Sequence, residues 1–184
     1  MTWNHPWAQI VPGPDGIART VLPAAPKDAD AVRDMFAQHP TGIAAICALT
    51  PEGPQAMVAT SFALGISFDP PLVLFSAQQS SRTWPLIAGA ARIGVSVLGE
   101  ENAAAVRTLA SRSGDRFAGL VTAQTDGGAI LIDGARMWLE CRVHSDEPLG
   151  DHRLVVLEVL GGSSHRGTAP LVYHDGGVGS LAAP

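Results

Sequence analysis

The stretch "AMVATSFALGISFDPPLVLFSAQ", residues 56–78, decides the fold class of this chain. It contains two apolar strand-like runs, and Asp-Pro-Pro at positions 69–71 marks a turn between them. A third run, "TGIAAICALT" at 41–50, comes just before it and ends at another turn signal, Pro-Glu-Gly at 51–53. Three strands that follow one another without an intervening helix favour an antiparallel sheet.

The rest of the chain continues this succession of strands. Four further stretches predict strands: "RIGVSVLG" (92–99), "AILIDGARMWLECRVHSDE" (129–147), "HRLVVLEVLGG" (152–162) and "PLVYHDGGVGSL" (170–181). Three stretches predict short helices: "KDADAVRDMFAQHP" (27–40), "WPLIAGAA" (84–91) and "EENAAAVRTLAS" (100–111). With about seven strands and three short helices, the sequence predicts a mostly β protein whose antiparallel sheet closes into a barrel.

Composition limits the class of protein. The chain has 184 residues, 46% of them hydrophobic, which is enough for one domain with a substantial core. Its net charge of −5, without any basic run, argues against a nucleic-acid surface. No apolar stretch approaches the ~20 residues that span a bilayer, and the N-terminus lacks the basic and apolar regions of a signal peptide. We therefore expect a cytoplasmic protein without a membrane partner.

Cysteine content and proline content add two expectations. Cys47 and Cys141 lie far apart in apolar runs, which indicates buried free thiols in a reducing compartment. Residues 1–26 are rich in proline and glycine without periodicity, so we interpret them as an arm and residues 27–184 as the domain. The two tryptophans of the arm favour packing on the domain or on a second subunit.

The polar stretch "QQSSRTWPLI", residues 78–87, is the first candidate for a binding site. It places hydroxyls and one arginine between an apolar strand and a predicted helix with Pro85 in its first turn. Free backbone amides, the positive end of the helix dipole and the Arg82 guanidinium are together suited to binding a phosphate. The alternative is simpler: serine and threonine cap many helices, and Arg82 is then a solvated charge.

Two weaker candidates lie elsewhere. Thr60 and Ser61 stand inside a run that is otherwise apolar, so they face either solvent or a ligand. His152 follows a Gly-Asp turn and opens an apolar strand. A histidine there can orient a substrate, pass a proton, or simply be a surface residue. The remaining histidines show no metal-ligand spacing, and we expect no metal site.

Eight short motifs follow one another between residues 36 and 180: "FAQHPTGIAAI", "VATSFALGISFDPPLVLF", "SSRTWPLI", "RIGVSVL", "DRFAG", "WLECRV", "GDHRLVVLEV" and "PLVYHDGGVG". In this combination and order they resemble the flavin reductase family, the FMN-binding split-barrel proteins. The resemblance implies a split β-barrel of antiparallel, Greek-key strands that forms a homodimer. It also implies FMN or FAD as the flavin and NADH or NADPH as the hydride donor. In many relatives a separate monooxygenase takes up the reduced flavin.

The resemblance also implies roles for individual residues. Three groups are expected to bind the flavin: Thr60, Ser61 and Phe62 at the isoalloxazine and ribityl region, Ser76, Ala77 and Gln78 beside the ring, and Ser81, Arg82 and Thr83 at the phosphate. Tyr173 and His174 are expected near the same pocket. His152 is expected to be the catalytic residue, mainly as a hydrogen-bonding anchor for the nicotinamide. Hydride transfer needs no proton from a side chain, so the expected contribution of the protein is positioning.

The chain departs from the family pattern in three ways, and one of them is the Pro-rich arm, which is longer than the minimal domain needs. Between Phe62 and Asp69 it has one residue more, which predicts a β-bulge. Leu157 stands where the family pattern has glycine, so it either narrows the space for a cofactor or faces the core. Two other functions therefore stay open. One is a split barrel that binds flavin or another small ligand without reducing it, and the other is a flavoenzyme that acts directly on an organic substrate.

Overall fold

The computed structural model describes residues 3–5 and 8–181, and the chain divides into two compact units after Phe36. The first unit holds a small antiparallel sheet, although its sequence has no periodic pattern. Its strands are β1 (Trp3–His5), β2 (Ala8–Pro12) and β3 (Ala18–Arg19), paired in that order. Trp7 and the side chain of Trp3 lie outside the described residues, so the packing expected of them stays a prediction.

Helix α1 (Ala29–Ala37) begins where capping chemistry predicts it. The Asp28 carboxylate accepts a hydrogen bond from the Ala31 N–H at 2.9 Å, which satisfies an amide of the first turn. The predicted end of this helix before Pro40 is confirmed as well. Among the described residues α1 is the longest helix, and none there is long and apolar enough to cross a membrane.

The second unit contains the remaining strands and helices. They are β4 (Thr41–Gly42), β5 (Ala44–Thr50), β6 (Gly53–Ala59), β7 (Ala63–Phe68), β8 (Pro71–Gln78), α2 (Trp84–Ala88), β9 (Ile93–Val97), a 3₁₀ turn (Glu100–Asn102), α3 (Ala105–Leu109), β10 (Thr122–Gln124), β11 (Ile130–Ile132), β12 (Met137–Leu149), β13 (His152–Ser164), β14 (Leu171–His174) and β15 (Gly177–Ser180). Seven strands form one antiparallel sheet in the order β6-β5-β9-β12-β13-β8-β7. Two small sheets accompany it, β10-β11 and β15-β14-β4, and the prediction of a mostly β, antiparallel fold is confirmed.

The connection between β6 and β7 makes the sheet a barrel with an opening. These two strands lie at opposite edges of the seven-stranded sheet, yet only residues 60–62 join them. Four residue steps span at most about 14 Å, so the sheet must curl until its edges approach each other. Because β6 and β7 are not paired to each other, the barrel is split between them.

The single strand predicted through Thr60 and Ser61 is therefore wrong. Both residues lie in the bend between β6 and β7. The cause is a side-chain clip: the Ser61 hydroxyl accepts the Ser76 N–H at 2.9 Å and donates to the Ser76 carbonyl at 3.3 Å. A hydroxyl that satisfies both backbone groups of Ser76 takes the place of a strand partner at that position.

Strand β7 carries the predicted bulge. Ala63 lies opposite Leu74 and Ser67 opposite Leu72, so four steps on β7 match two on β8. Gly65, with φ +74°, absorbs the irregular backbone. The turn that follows, at the predicted Asp-Pro-Pro position, has a cis peptide bond between Asp69 and Pro70.

The middle of the sheet is buried on both faces, as the burial of β5 and β9 shows. Cys47 belongs to the apolar layer between the sheet and α3, whereas Cys141 belongs to the barrel interior. Because the two thiols face opposite sides of the sheet, they cannot form a disulfide with each other, and both are free. Burial raises the pKa of Cys47 to about 12. Burial, and then the negative charge of Glu140, raises the pKa of Cys141 to about 12 as well.

Strand β9 contains a glycine that its packing requires. A Cβ on Gly94 would lie 2.0 Å from the Ile130 carbonyl oxygen, so β11 can cross here only over glycine. The neighbouring Ser96 hydroxyl accepts the Ile132 N–H at 2.9 Å. These contacts hold β11 in place. They thereby also hold the C-terminal end of the segment between α3 and β11.

Candidate functional site

A cavity of about 810 Å³ opens at the split in the barrel. Its walls come from the end of β6, the bend between β6 and β7, the end of β8, the loop before α2 and the loop after α3. Nine of the predicted site residues line it: Thr60, Ser61, Ser76, Ala77, Gln78, Ser81, Arg82, Thr83 and His152. The topology of the barrel therefore brings together segments that are up to 92 positions apart in the sequence.

Three residues predicted for the pocket lie outside this cavity. Phe62 is half-buried and packs against the barrel core. Tyr173 is half-buried in β14, opposite Thr41, where it packs against the layer covered by α3. His174 is exposed at the end of β14. A single chain thus does not bring β14 to the cavity wall.

The charge of the cavity wall is opposite to that of the chain. Arg82, Arg112 and Arg116 line it, and among the described residues no aspartate or glutamate does, in a protein whose net charge is −5. Three guanidinium groups without a carboxylate create a local positive potential that attracts an anion. This arrangement supports phosphate binding more strongly than the residue types in the stretch 78–87 do alone.

Arg112 and Arg116 were not predicted as site residues. They flank a Gly-containing turn in "SRSGDRF", about 30 positions after the polar motif, so sequence spacing does not link them to it. Two arginines in a short glycine-rich loop, in an acidic chain with few charges, were the available signal.

The three arginines differ in what holds them. Arg116 is half-buried: its Nε donates to the Ser111 carbonyl at 2.7 Å, and its Nη1 donates to the Thr83 hydroxyl at 2.8 Å and to the Ala56 carbonyl. Arg82 and Arg112 are exposed and donate no hydrogen bond within the described part of the chain. Two guanidinium groups are therefore available to a ligand, while the third belongs to the wall.

The predicted helix start is confirmed, with a correction to its role. The N-cap residue is Thr83, which makes no side-chain cap hydrogen bond, whereas the Ser81 hydroxyl, two residues earlier, accepts the Trp84 N–H at 3.1 Å. Helix α2 has only five residues. So short a helix has a small macrodipole, and attraction of an anion rests on the arginines rather than on the helix end.

His152 lines another part of the cavity wall, as the first residue of β13 after the tight turn from β12, and we call this part the His152 end. His152 is opposite Gln78, the last residue of β8. Its Nδ1 lies 2.7 Å from the Asp151 carboxylate, which leaves Nε2 for a ligand. Gln79 holds the turn: its side-chain amide donates to the Gly150 carbonyl at 2.8 Å, and its backbone N–H donates to the Asp151 carbonyl at 3.0 Å.

A polar link joins the residue after Thr83 to the residue after His152, through side chains that do not themselves line the cavity. The Trp84 indole Nε1 donates to the Asp146 carboxylate at 2.9 Å. The same carboxylate accepts from Arg153 Nε at 2.6 Å, and Arg153 is next to His152 in β13. Trp84 itself is buried, and its ring packs edge to face on Phe75 with 5.1 Å between the ring centroids. The link therefore starts from a rigid position.

Leu157 does not narrow the cavity. It is 0% exposed, lies opposite Val73 in the β8–β13 pairing, and belongs to the barrel interior. Of the two interpretations of this departure from the family pattern, the core-facing one is confirmed. The approach to His152 is therefore not restricted by this side chain.

The residues present fit a ligand with a flat body and an anionic end. The volume lies within the usual range of cofactor pockets, roughly 300–1,000 Å³. Apolar side chains from β6 and α2, such as Met57 and Leu86, line the wall beside hydroxyl groups and the three arginines. Within the described residues no group of three or more His, Cys, Asp or Glu side chains could hold a metal ion.

Comparison with known proteins places this cavity in a family. The family model described as "Flavin reductase like domain" matches residues 36–182. A flavin reductase of Pseudomonas putida is 34% identical over 151 residues, which cover 82% of this chain and 89% of that protein.

Two solved structures are similar throughout. The NADH:FAD oxidoreductase SgcE6 of Streptomyces globisporus, in complex with NAD and FAD fragments, is 28% identical with a TM-score of 0.80. The match covers 88% of this chain and 98% of that one. The styrene monooxygenase flavin reductase of Pseudomonas putida S12 is 31% identical with a TM-score of 0.74, over 83% of this chain and 97% of that one.

Proposed function

Because the chain belongs to the flavin reductase like domain family, we propose that it is an NAD(P)H-dependent flavin reductase. It reduces FMN or FAD and supplies the reduced flavin to a partner monooxygenase, as the relative from the styrene monooxygenase system does by name. The observation that carries the proposal is the cavity at the barrel split, with three arginines and no carboxylate in its wall.

Bound flavin supplies the acceptor for the hydride of a reduced nicotinamide. The residues of the chain bind and orient. Ser81, Arg82 and Thr83 would hold the flavin phosphate, and residues 60, 61 and 76–78 would border the ring and the ribityl chain. Ser61 contributes through its clip on Ser76, which fixes the wall beside the ring. Phe62, which packs on the barrel core, supports the same segment from behind.

His152 anchors the nicotinamide. The Asp151 carboxylate at Nδ1 fixes the orientation of the imidazole, and Nε2 then meets the carboxamide of the nicotinamide. No proton leaves or enters a side chain in this scheme. The contribution of the residue is to hold the donor ring in place, which is where positioning has its largest effect on rate.

The chain acts as a homodimer in this proposal. Strand β7 is the last strand of its sheet, and it exposes Leu64 (50%), Ile66 (41%) and Phe68 (86%). A row of apolar side chains on a sheet edge is suited to burial against a second copy. Tyr173 stays a proposed cofactor contact, one that a second subunit would complete. Phe68→Glu is expected to halve the mass measured by light scattering, and an unchanged mass would count against this interface.

One assay tests the proposed activity. Purified protein receives free FMN or FAD and then NADH or NADPH, and oxidation of the nicotinamide is followed at 340 nm, where only the reduced form absorbs. Rapid oxidation that needs added flavin is the expected result. Flavin binding without oxidation would instead indicate a binding protein. Tightly retained flavin that is reduced only with an organic substrate present would indicate a flavoenzyme that acts directly on that substrate.

The proposal also covers compartment and domain limits. We place the protein in the cytoplasm, where its two buried thiols stay reduced. Residues 1–26 are an arm, and residues 27–184 hold the reductase domain, within which the family match begins at residue 36. A chain that starts at Lys27 is expected to keep its flavin-dependent oxidation of NADH, and loss of that activity would assign the arm to the site.

A further inference from the structure

The hydroxyl of Thr83 has an unusual partner in the wall of the cavity. Arg116 Nη1 lies 2.8 Å from its Oγ1, and the same nitrogen also donates to the Ala56 carbonyl in β6. Arg116 Nε donates to the Ser111 carbonyl at 2.7 Å. One guanidinium thus ties the loop before α2 to a strand on the far side of the split and to the loop after α3.

The hydrogen-bonding capacities of the Arg116 guanidinium and the Thr83 hydroxyl determine which of them donates. A guanidinium can only donate, so Thr83 Oγ1 must accept the bond from Arg116. The hydroxyl keeps one proton to donate, and no acceptor for it is present among the described residues. Since Thr83 lines the cavity, that proton is available to an anion there.

Ser81 repeats this arrangement with a backbone donor. Its hydroxyl accepts the Trp84 N–H at 3.1 Å, and its own proton likewise has no acceptor in the described chain. Two hydroxyls of one loop are therefore both held as acceptors from the protein side. Both are left as donors toward the cavity, a pattern that suits three phosphate oxygens.

Arg112 provides the contrast. It lies four residues before Arg116 in the same loop and lines the same cavity, but it is exposed and contacts no hydroxyl. A guanidinium in that position can reach an anion directly. Arg116 differs, because its Nε and Nη1 already donate to three oxygen atoms of the chain and only Nη2 is left without a partner among the described residues.

We propose that Arg116 is a positioning residue that acts on the flavin phosphate through Thr83, by fixing the Thr83 hydroxyl as a donor toward the phosphate. The inference rests on the proposed function, because it assumes that the anion is the phosphate of FMN. It adds a residue to the phosphate subsite that the polar motif does not contain. It also divides two arginines of one loop into a direct ligand and an indirect one.

A double-mutant cycle tests the inference. Dissociation constants for FMN and for riboflavin are measured by quenching of flavin fluorescence, and the FMN preference is their ratio. Thr83→Val and Arg116→Gln are each expected to lower the preference about tenfold, and the double variant by no more than about tenfold. Thr83→Ser, which keeps the hydroxyl, is expected to stay within about twofold of the wild type.

Arg112→Gln is the matched control. Because Arg112 acts directly, the loss of FMN preference in Arg112→Gln is expected to add to the loss in Thr83→Val. The FMN preference of the Arg112→Gln/Thr83→Val double variant should therefore be about a hundredfold lower than that of the wild type. If the losses of FMN preference in Arg116→Gln and Thr83→Val add in the double variant, the inference is overturned. An unchanged FMN preference in Arg116→Gln would overturn it as well. If Arg116→Gln does not fold, Arg116→Lys replaces it, with an expected loss of about threefold that vanishes in the Thr83→Val background.

Failure of the inference and failure of the proposed function give different results. A wild-type protein that binds riboflavin as tightly as FMN would show that the cavity does not hold the phosphate. A wild type that prefers FMN, together with additive losses at Thr83 and Arg116, would leave the reductase proposal intact and remove only the indirect role of Arg116.

Discussion

The two ends of the cavity are built in different ways. The phosphate end is assembled across the fold: Arg116 reaches Thr83 over 33 positions and Ala56 over 60. The His152 end is a tight turn at the surface: its glycine, Gly150, has φ +62°, and the side chain of Gln79, 71 positions away, holds its backbone. The phosphate end therefore depends on a half-buried guanidinium that joins three segments, whereas the His152 turn is exposed and shares none of those bonds. The two functions should therefore be separable by substitution.

The largest effect is expected from removal of both free guanidinium groups. In Arg82→Ala/Arg112→Ala, the FMN dissociation constant should rise about a hundredfold, because two charge-assisted hydrogen bonds to the phosphate are lost. Riboflavin, which has no phosphate, should bind within about threefold of the wild type, as measured by fluorescence titration. An equal loss for both ligands would show that this end of the cavity does not discriminate by charge.

Removal of the histidine should affect the other end alone. His152→Ala should raise the KM for NADH about tenfold, since one hydrogen bond to the nicotinamide is lost. Steady-state kinetics with varied NADH measures this. The FMN dissociation constant serves as the internal control and should change by less than about twofold. Unchanged kinetics would remove the assigned role of His152.

The polar link through Asp146 predicts a smaller, shared effect. Trp84→Phe removes the bond from Nε1 to Asp146 and should cost about 1 kcal/mol, or about 2–4 °C in Tm, for a chain of this size. FMN affinity and the KM for NADH should both worsen about twofold. Trp138→Phe is the matched control: its Nε1 bonds the Ile132 carbonyl at 2.7 Å outside the cavity, so only Tm should fall. A change at one end only would contradict the link.

The smallest effect is expected from the clip on the turn. Gln79→Ala leaves the Gly150 carbonyl without its side-chain donor, and the turn that carries His152 should become more mobile. The KM for NADH should rise by less than about twofold while the FMN dissociation constant stays the same. Kinetics and fluorescence titration of the same preparation measure both values. A loss of FMN binding would mean that the turn also supports the phosphate end.

The sequence was sufficient wherever local chemistry decides the structure. Asp-Pro-Pro at 69–71 ended a strand as predicted, and Pro85 stands in the first turn of α2. The antiparallel order followed from strands in direct succession. Such features depend on residues within a few positions of one another, and their signals are visible in a single line of sequence.

The sequence was insufficient wherever a distant partner decides the structure. The break at Thr60 and Ser61 depends on Ser76, which lies 15 positions away, and the surrounding apolar pattern concealed it. Arg116 was missed for the same reason, because its partners precede it by 33 and 60 positions. The strands of the N-terminal unit were missed because a pattern rich in proline and glycine carries no period.

The carboxylate-free wall of the cavity also bears on the moment before binding. A ligand with an anionic end approaches a chain whose overall charge is −5, so most of the surface repels it. The opening at the split presents the positive charges of Arg82 and Arg112, both of which are exposed. A cleft of one sign focuses the field and turns an incoming dipolar molecule as it arrives. Encounters are thus selected by orientation: the charged end enters first, and the flat body follows it into the split.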